Sequence, residues 1–174
     1  MNIQSKKMTG FSVIELLVYI GILTMALVVI VISVSSFGDV YNRIKGRQAL
    51  IRSGSYAVER MIREIRSAES VTVGASTLGS HPGRLTLSIP LSGGSFKTSE
   101  FALSGGSIVL TENSVVTGSL TQSDITVSEL VFTRIQTDVS EAVKLDLTLS
   151  QDMAGTVITS SFHGTAVLRA SYSL

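Results

Sequence analysis

The chain has 174 residues, a formal net charge of +1 and a mean hydropathy of +0.42. With no cysteine it can build neither a disulfide framework nor a thiolate metal site. The near-neutral balance lacks the concentrated basic face that nucleic-acid binding uses, and no nucleic-acid partner is assigned.

The apolar residues are gathered at the N-terminus. Residues 1–10 read MNIQSKKMTG, with Lys6 and Lys7 and no acid, and the 24 residues that follow, FSVIELLVYIGILTMALVVIVISV, hold one charge, Glu15. As a helix rising about 1.5 Å per residue this run spans roughly 36 Å, enough for a hydrocarbon core of about 30 Å. A carboxylate at that depth costs about 2.5–3.5 kcal/mol, so a functional partner is the default expectation for it. Sixteen of the 24 residues are Leu, Ile, Val or Phe, together worth roughly −5 to −10 kcal/mol, so insertion survives the acid. The leader lysines predict a cytoplasmic N-terminus and an extracytoplasmic remainder.

A cleaved secretory signal has a shorter apolar region, with its small residue after it, whereas Gly10 stands before this run. An uncleaved signal-anchor explains the apolar run and the lysines. It supplies no reason for an acid just beyond a Gly-Phe junction. If the chain is cut between Gly10 and Phe11, Phe11 gains an ammonium, and Glu15 at i+4 lies on the same helical face. A buried cation and a buried anion are then available to neutralise each other, within one chain or between neighbours.

The stretch GFSVIELLVYIGIL, Gly10 to Leu23, resembles the class III signal of type IV pilins and of the pseudopilins of type II secretion. The resemblance implies a prepilin peptidase as first partner, cutting after Gly10 and N-methylating Phe11. It implies Glu15 as the carboxylate of filament assembly, and other pilin subunits as partners through helix bundling. The anchor lacks the proline common in major pilins; Pro82 and Pro90 are the only two in the chain.

Residues 37–72 continue the helix in amphipathic form. Val40, Ile44, Ile51, Val58, Met61, Ile62 and Ile65 follow a 3.6-type pattern, predicting helix from Phe11 to about Ala68 with its second half on its own domain. Ile44, Ile51, Val58 and Ile65 recur every seventh residue. Glu59 with Arg63, and Arg60 with Glu64, form i,i+4 pairs on the exposed side. Gly46 and Gly54 each weaken the helix by about 1 kcal/mol relative to Ala, predicting a bend or local melting near them. Residues 39–70 carry seven basic against four acidic side chains, and residues 71–174 five against eight. That opposition suits contacts between neighbouring subunits, or an ordinary solvated surface.

Residues 73–174 read as strands. Alternation or β-branching marks 84–89, 96–103, 107–110, 125–133, 142–149 and 156–169. LSGGS occurs at 91–95 and again at 103–107, on either side of one strand, so a meander with two related Gly-Gly turns is expected. A phosphate cradle is disfavoured, since neither copy is followed by Gly-Lys-Ser/Thr or a helix. His81 and His163, the only histidines, have no helping carboxylates at metal-ligand spacing, and no nucleophile elbow is evident. No catalytic residue, metal or cofactor is expected. Asp124 and Asp152 are turn acids for which a calcium loop is the weaker reading.

YAVERMIREIRSAES, LTQSDITVSELVFTRI and FHGTAVLRAS resemble the J-type minor pseudopilins and W-type minor pilins, members that sit at a filament tip. The expectation is an α+β, pilin-like fold. It comprises a leader at 1–10, a transmembrane and assembly helix at 11–36, its amphipathic continuation at 37–72 and a β-rich domain at 73–174. The implied function is a structural subunit, not an enzyme, placed in the inner membrane and then in a pilus or pseudopilus. The competing reading is an uncleaved, signal-anchored extracytoplasmic binding or adhesion protein.

Overall fold

The computed structural model describes residues 10, 12–138, 140–153 and 155–169, with backbone alone at Asp39 and Asn42. The architecture is α+β. One helix, α1 (Val13–Ser67), precedes β1 (Ser70–Val71), a short 3-10 turn (Val73–Ala75), β2 (Arg84–Pro90), β3 (Phe96–Ser104) and β4 (Ser107–Glu112). The remaining strands are β5 (Val115–Ser119), β6 (Thr126–Gln136), β7 (Glu141–Met153) and β8 (Thr156–Val167). The chain divides into two compact units, Met1–Arg43 and Ile44–Leu174.

In the first unit the Ser12 carbonyl opens the helix by accepting from the Glu15 and Leu16 amides at 3.0 and 3.1 Å. Every large apolar side chain described from Val13 to Val40 is half or more exposed. The few hydroxyls in this apolar stretch are satisfied inside the helix. Thr24 donates to the Ile20 carbonyl at 2.9 Å, and Ser33, Ser35 and Ser36 each donate four residues back at 2.8–3.0 Å. Such back-bonding removes most of the cost of placing a hydroxyl in a medium without water. The helix is long and apolar enough to cross a membrane.

In the second unit the helix buries Gly46, Leu50, Ser53, Gly54, Ala57, Met61, Glu64 and Ile65, a stripe at 3.6 spacing that Ala68 continues just past its end. Ile44 and Ile51, expected on the packed face, are 52 % and 45 % exposed. A strict seven-residue repeat drifts by about 20° per heptad on a straight helix. Ile65 therefore fixes the face, Val58 is half-buried, and the two earlier members have turned out of it. The helix also runs unbroken through Gly46 and Gly54. Both lie where the domain comes closest: a Cβ at Gly54 would collide with the Phe162 ring, and one at Gly46 with the Met153 sulfur. Gly164 answers from β8, where a Cβ would stand 2.9 Å from Ile62 Cδ1.

Two antiparallel sheets complete this unit, one ordered β1-β2-β3-β4-β5 and one ordered β6-β7-β8. The LSGGS repeats form the β2–β3 and β3–β4 turns, with Gly93, Gly94, Gly105 and Gly106 all at positive φ. Leu85, Leu87, Phe101 and Ile108 from the first sheet, Leu130, Phe132, Leu145 and Leu147 from the second, and Met61 and Ile65 from the helix share one core. The sheets are also joined along β6 through backbone hydrogen bonds. Its Val127 amide donates to the Gly106 carbonyl, and its Leu130 and Phe132 carbonyls accept from the Gly83 and Gly79 amides, all at 2.8 Å.

Candidate functional site

Of the three residues that the sequence singles out at the N-terminus, Gly10 is exposed and outside regular structure, Phe11 lies outside the described residues, and Glu15 is exposed in the first turn of α1. At that position a carboxylate faces the positive end of the helix dipole. The structure adds Tyr19, which sequence reasoning passed over. Its hydroxyl donates to Glu15 Oε1 at 3.0 Å. The signal for it was the same i,i+4 spacing that relates Phe11 to Glu15 on the N-terminal side. The bond directs one carboxylate oxygen along the helix and leaves the other for a second donor.

The histidines serve structure. His81 precedes Pro82 across a cis peptide bond, and its Nδ1 accepts from the Leu130 amide at 3.0 Å. His163 pairs with Asp146 across the β7–β8 ladder at 2.6 Å, while Lys144 approaches the same carboxylate at 2.9 Å. These two donors hold the Asp146 carboxyl below its ordinary range. Asp124 accepts from the Gln151 amide nitrogen at 2.7 Å, and Asp152 accepts from the Gly155 backbone at 3.0 Å, so both work in turns. Among the described residues no cluster of three or more His, Asp or Glu side chains is placed to hold a metal ion.

The densest electrostatics lie where α1 meets β3 and β4. Glu64 is 6 % exposed, yet Arg60 reaches it at 2.9 Å, Lys97 at 3.5 Å and the Ser99 hydroxyl at 3.2 Å. Lys97 also binds Glu112 at 2.8 Å, which Arg60 approaches at 3.5 Å. Two cations and two anions thus close on one another. The Arg60–Glu64 pair, expected on the exposed side of the helix, belongs to this partly buried network, whereas Glu59–Arg63 stays exposed at 2.9 Å. Burial works against the Lys97 ammonium, but Glu112 and Glu64 outweigh it and raise its pKa. The hydrogen bond from Lys97 holds Glu112 below the usual carboxylate range despite some burial. A balanced, bonded network of this kind pins a helix to a sheet.

No family model, no curated protein and no solved structure matches this chain.

Proposed function

We propose that the chain is a structural subunit, a minor pilin or pseudopilin, of a type IV pilus or a type II secretion pseudopilus. The observation that carries this is Glu15, five residues beyond Gly10 at the head of an apolar stretch of helix whose large side chains are exposed from Val13 to Val40. The pilin-like reading of the fold rests on the same helix continuing into one face of a β-rich unit. Processing removes residues 1–10 and frees the Phe11 amine, which is methylated. Glu15 then pairs with the N-terminus of a neighbour and sets register, with Tyr19 steering the carboxylate. The helices bundle as they leave the inner membrane, and the β-rich unit stays extracytoplasmic.

The decisive measurement is intact mass. In a host with a prepilin peptidase, the mature chain should lack residues 1–10 and carry one added methyl. A full-length mass supports the signal-anchored reading instead. Gly10→Val should block processing. Glu15→Val should be cut and inserted normally but fail to enter filaments, and normal incorporation would remove the register role.

A further inference from the structure

Sheet edges expose unpaired amides and carbonyls, and proteins usually shorten, bulge, charge or cover them. Among the described residues this is done at every edge but one. β1 has two residues, and β5 has five with a register shift at Leu110/Thr111. β6 is covered by Gly79, Gly83 and Gly106. The remaining edge is β8, twelve residues reading TVITSSFHGTAV, without Lys, Arg, Asp, Glu or Pro and paired to β7 without a shift. Among the described residues, its backbone bonds to β7 and to nothing else.

A groove of about 560 Å³ lies beside the C-terminal end of this edge, lined by Glu59, Ile62, Arg63, Arg66, Ser67 and Arg169. Ile62 places it there, because that side chain also packs over Gly164 of β8. Leu168, fully buried, anchors the turn that delivers Arg169. Arg63 is neutralised by Glu59 at 2.9 Å, but Arg66 and Arg169 have no ion-pair or side-chain hydrogen-bond partner among the described residues. With Glu59 taken up by Arg63, two guanidinium groups on one groove are left without a counter-charge of their own among the described residues, an arrangement that suits an anion from elsewhere.

We propose that β8 and this groove form a docking site for an extended, acidic segment of a partner polypeptide. The segment adds to β8 as a strand. Its main chain takes the free amides and carbonyls of the edge, and its carboxylates meet Arg66 and Arg169 in bidentate geometry. The edge selects a peptide over a small anion, and the arginines select an acidic one. A second copy of β8 fits poorly because it carries no carboxylate. The site stands apart from the filament reading, since a chain that is never cleaved still carries it.

The test uses the full chain in neutral detergent micelles and three fluorescein-labelled decapeptides. All are rich in Thr and Val; one carries glutamates, one has lysines in their place, and one carries the glutamates with N-methylated backbone amides. The glutamate peptide should bind in fluorescence anisotropy, with the lysine and N-methylated forms each about tenfold weaker or worse. Arg66→Gln/Arg169→Gln should weaken the glutamate peptide by about tenfold and reduce its salt dependence. Both arginines are exposed, and an unchanged circular dichroism spectrum verifies folding. Equal binding of the N-methylated peptide would leave an anion site without strand addition and overturn the proposal. So would equal binding of the lysine peptide, an unchanged double variant, or no binding at millimolar peptide. Self-association through β8 that excludes the peptide would overturn it as well.

Discussion

Gly46 and Gly54 look alike in the sequence and differ in what they face. Replacing either by Ala gains about 1 kcal/mol of helix propensity. At Gly54 the new methyl enters the Phe162 ring, a rigid group that is itself partly buried against the core. Overpacking of that kind costs about 1–3 kcal/mol, so the clash outweighs the propensity. At Gly46 the obstacle is the end of the flexible Met153 side chain, which can swing aside. Gly54→Ala is expected to lower the urea midpoint of the domain, and Gly46→Ala to leave it unchanged or raise it slightly. Phe162→Leu should remove most of the Gly54→Ala penalty in a double-mutant cycle, and a penalty that persists would place the cause elsewhere.

The network between α1 and the first sheet makes a prediction for that junction. Lys97→Met strips Glu64 of one of its two cations while the carboxylate stays buried, and should cost about 1–3 kcal/mol of unfolding free energy. Adding Glu64→Gln should recover part of the loss, because the residual cost is that of an underpaired buried charge. The pH dependence follows from the shift directions. Glu112 and Asp146 titrate below their unfolded values of about 4.3 and 3.9, so their contribution is in place above those values and is lost as pH falls through the lower folded ones. Lys97 behaves oppositely: its contribution is complete below about pH 10.4 and fades as pH rises past the raised folded value. Each carboxylate sits at the boundary with water, so about 1 kcal/mol or less is expected from each. Urea midpoints should fall between roughly pH 5 and 3, and Glu112→Gln should flatten part of that slope.

Elements of this molecule were legible in proportion to how local their cause is. The LSGGS turns and the strands around them could be read because positive φ at paired glycines is a property of a few consecutive residues. The strand at 115–119 escaped notice, since five exposed residues with one glycine give no alternation of burial to detect. The helix could be located, but its buried face could not be read from Ile44 and Ile51. That face is defined by what packs on it, and there, Leu50 apart, the contacts fall on glycine, alanine and serine, whose smallness carries no hydrophobic signal. The Arg66–Arg169 groove joins residues about a hundred positions apart, and only the fold brings them together.

For the molecule as a whole, the balance of apolar and charged residues in the N-terminal half of α1 decides whether the chain is anchored. The Leu, Ile, Val and Phe residues of 11–34 contribute roughly −5 to −10 kcal/mol to insertion, and Glu15 takes back about 2.5–3.5. The remaining margin, roughly 1.5–7.5 kcal/mol, exceeds the cost of one central arginine over most of that range and falls short of the cost of two over most of it. Leu23→Arg alone should therefore remain in the alkali-resistant membrane pellet. Leu23→Arg/Leu27→Arg adds roughly 5–7 kcal/mol and removes two favourable leucines, so that chain should shift to the supernatant. Glu15→Val should widen the margin and stay firmly in the pellet. The role of Glu15 would then separate from insertion altogether, because the variant that sits best in the bilayer is the one expected to be missing from filaments. Retention of the double-arginine chain in the pellet would mean that something other than this helix anchors the protein.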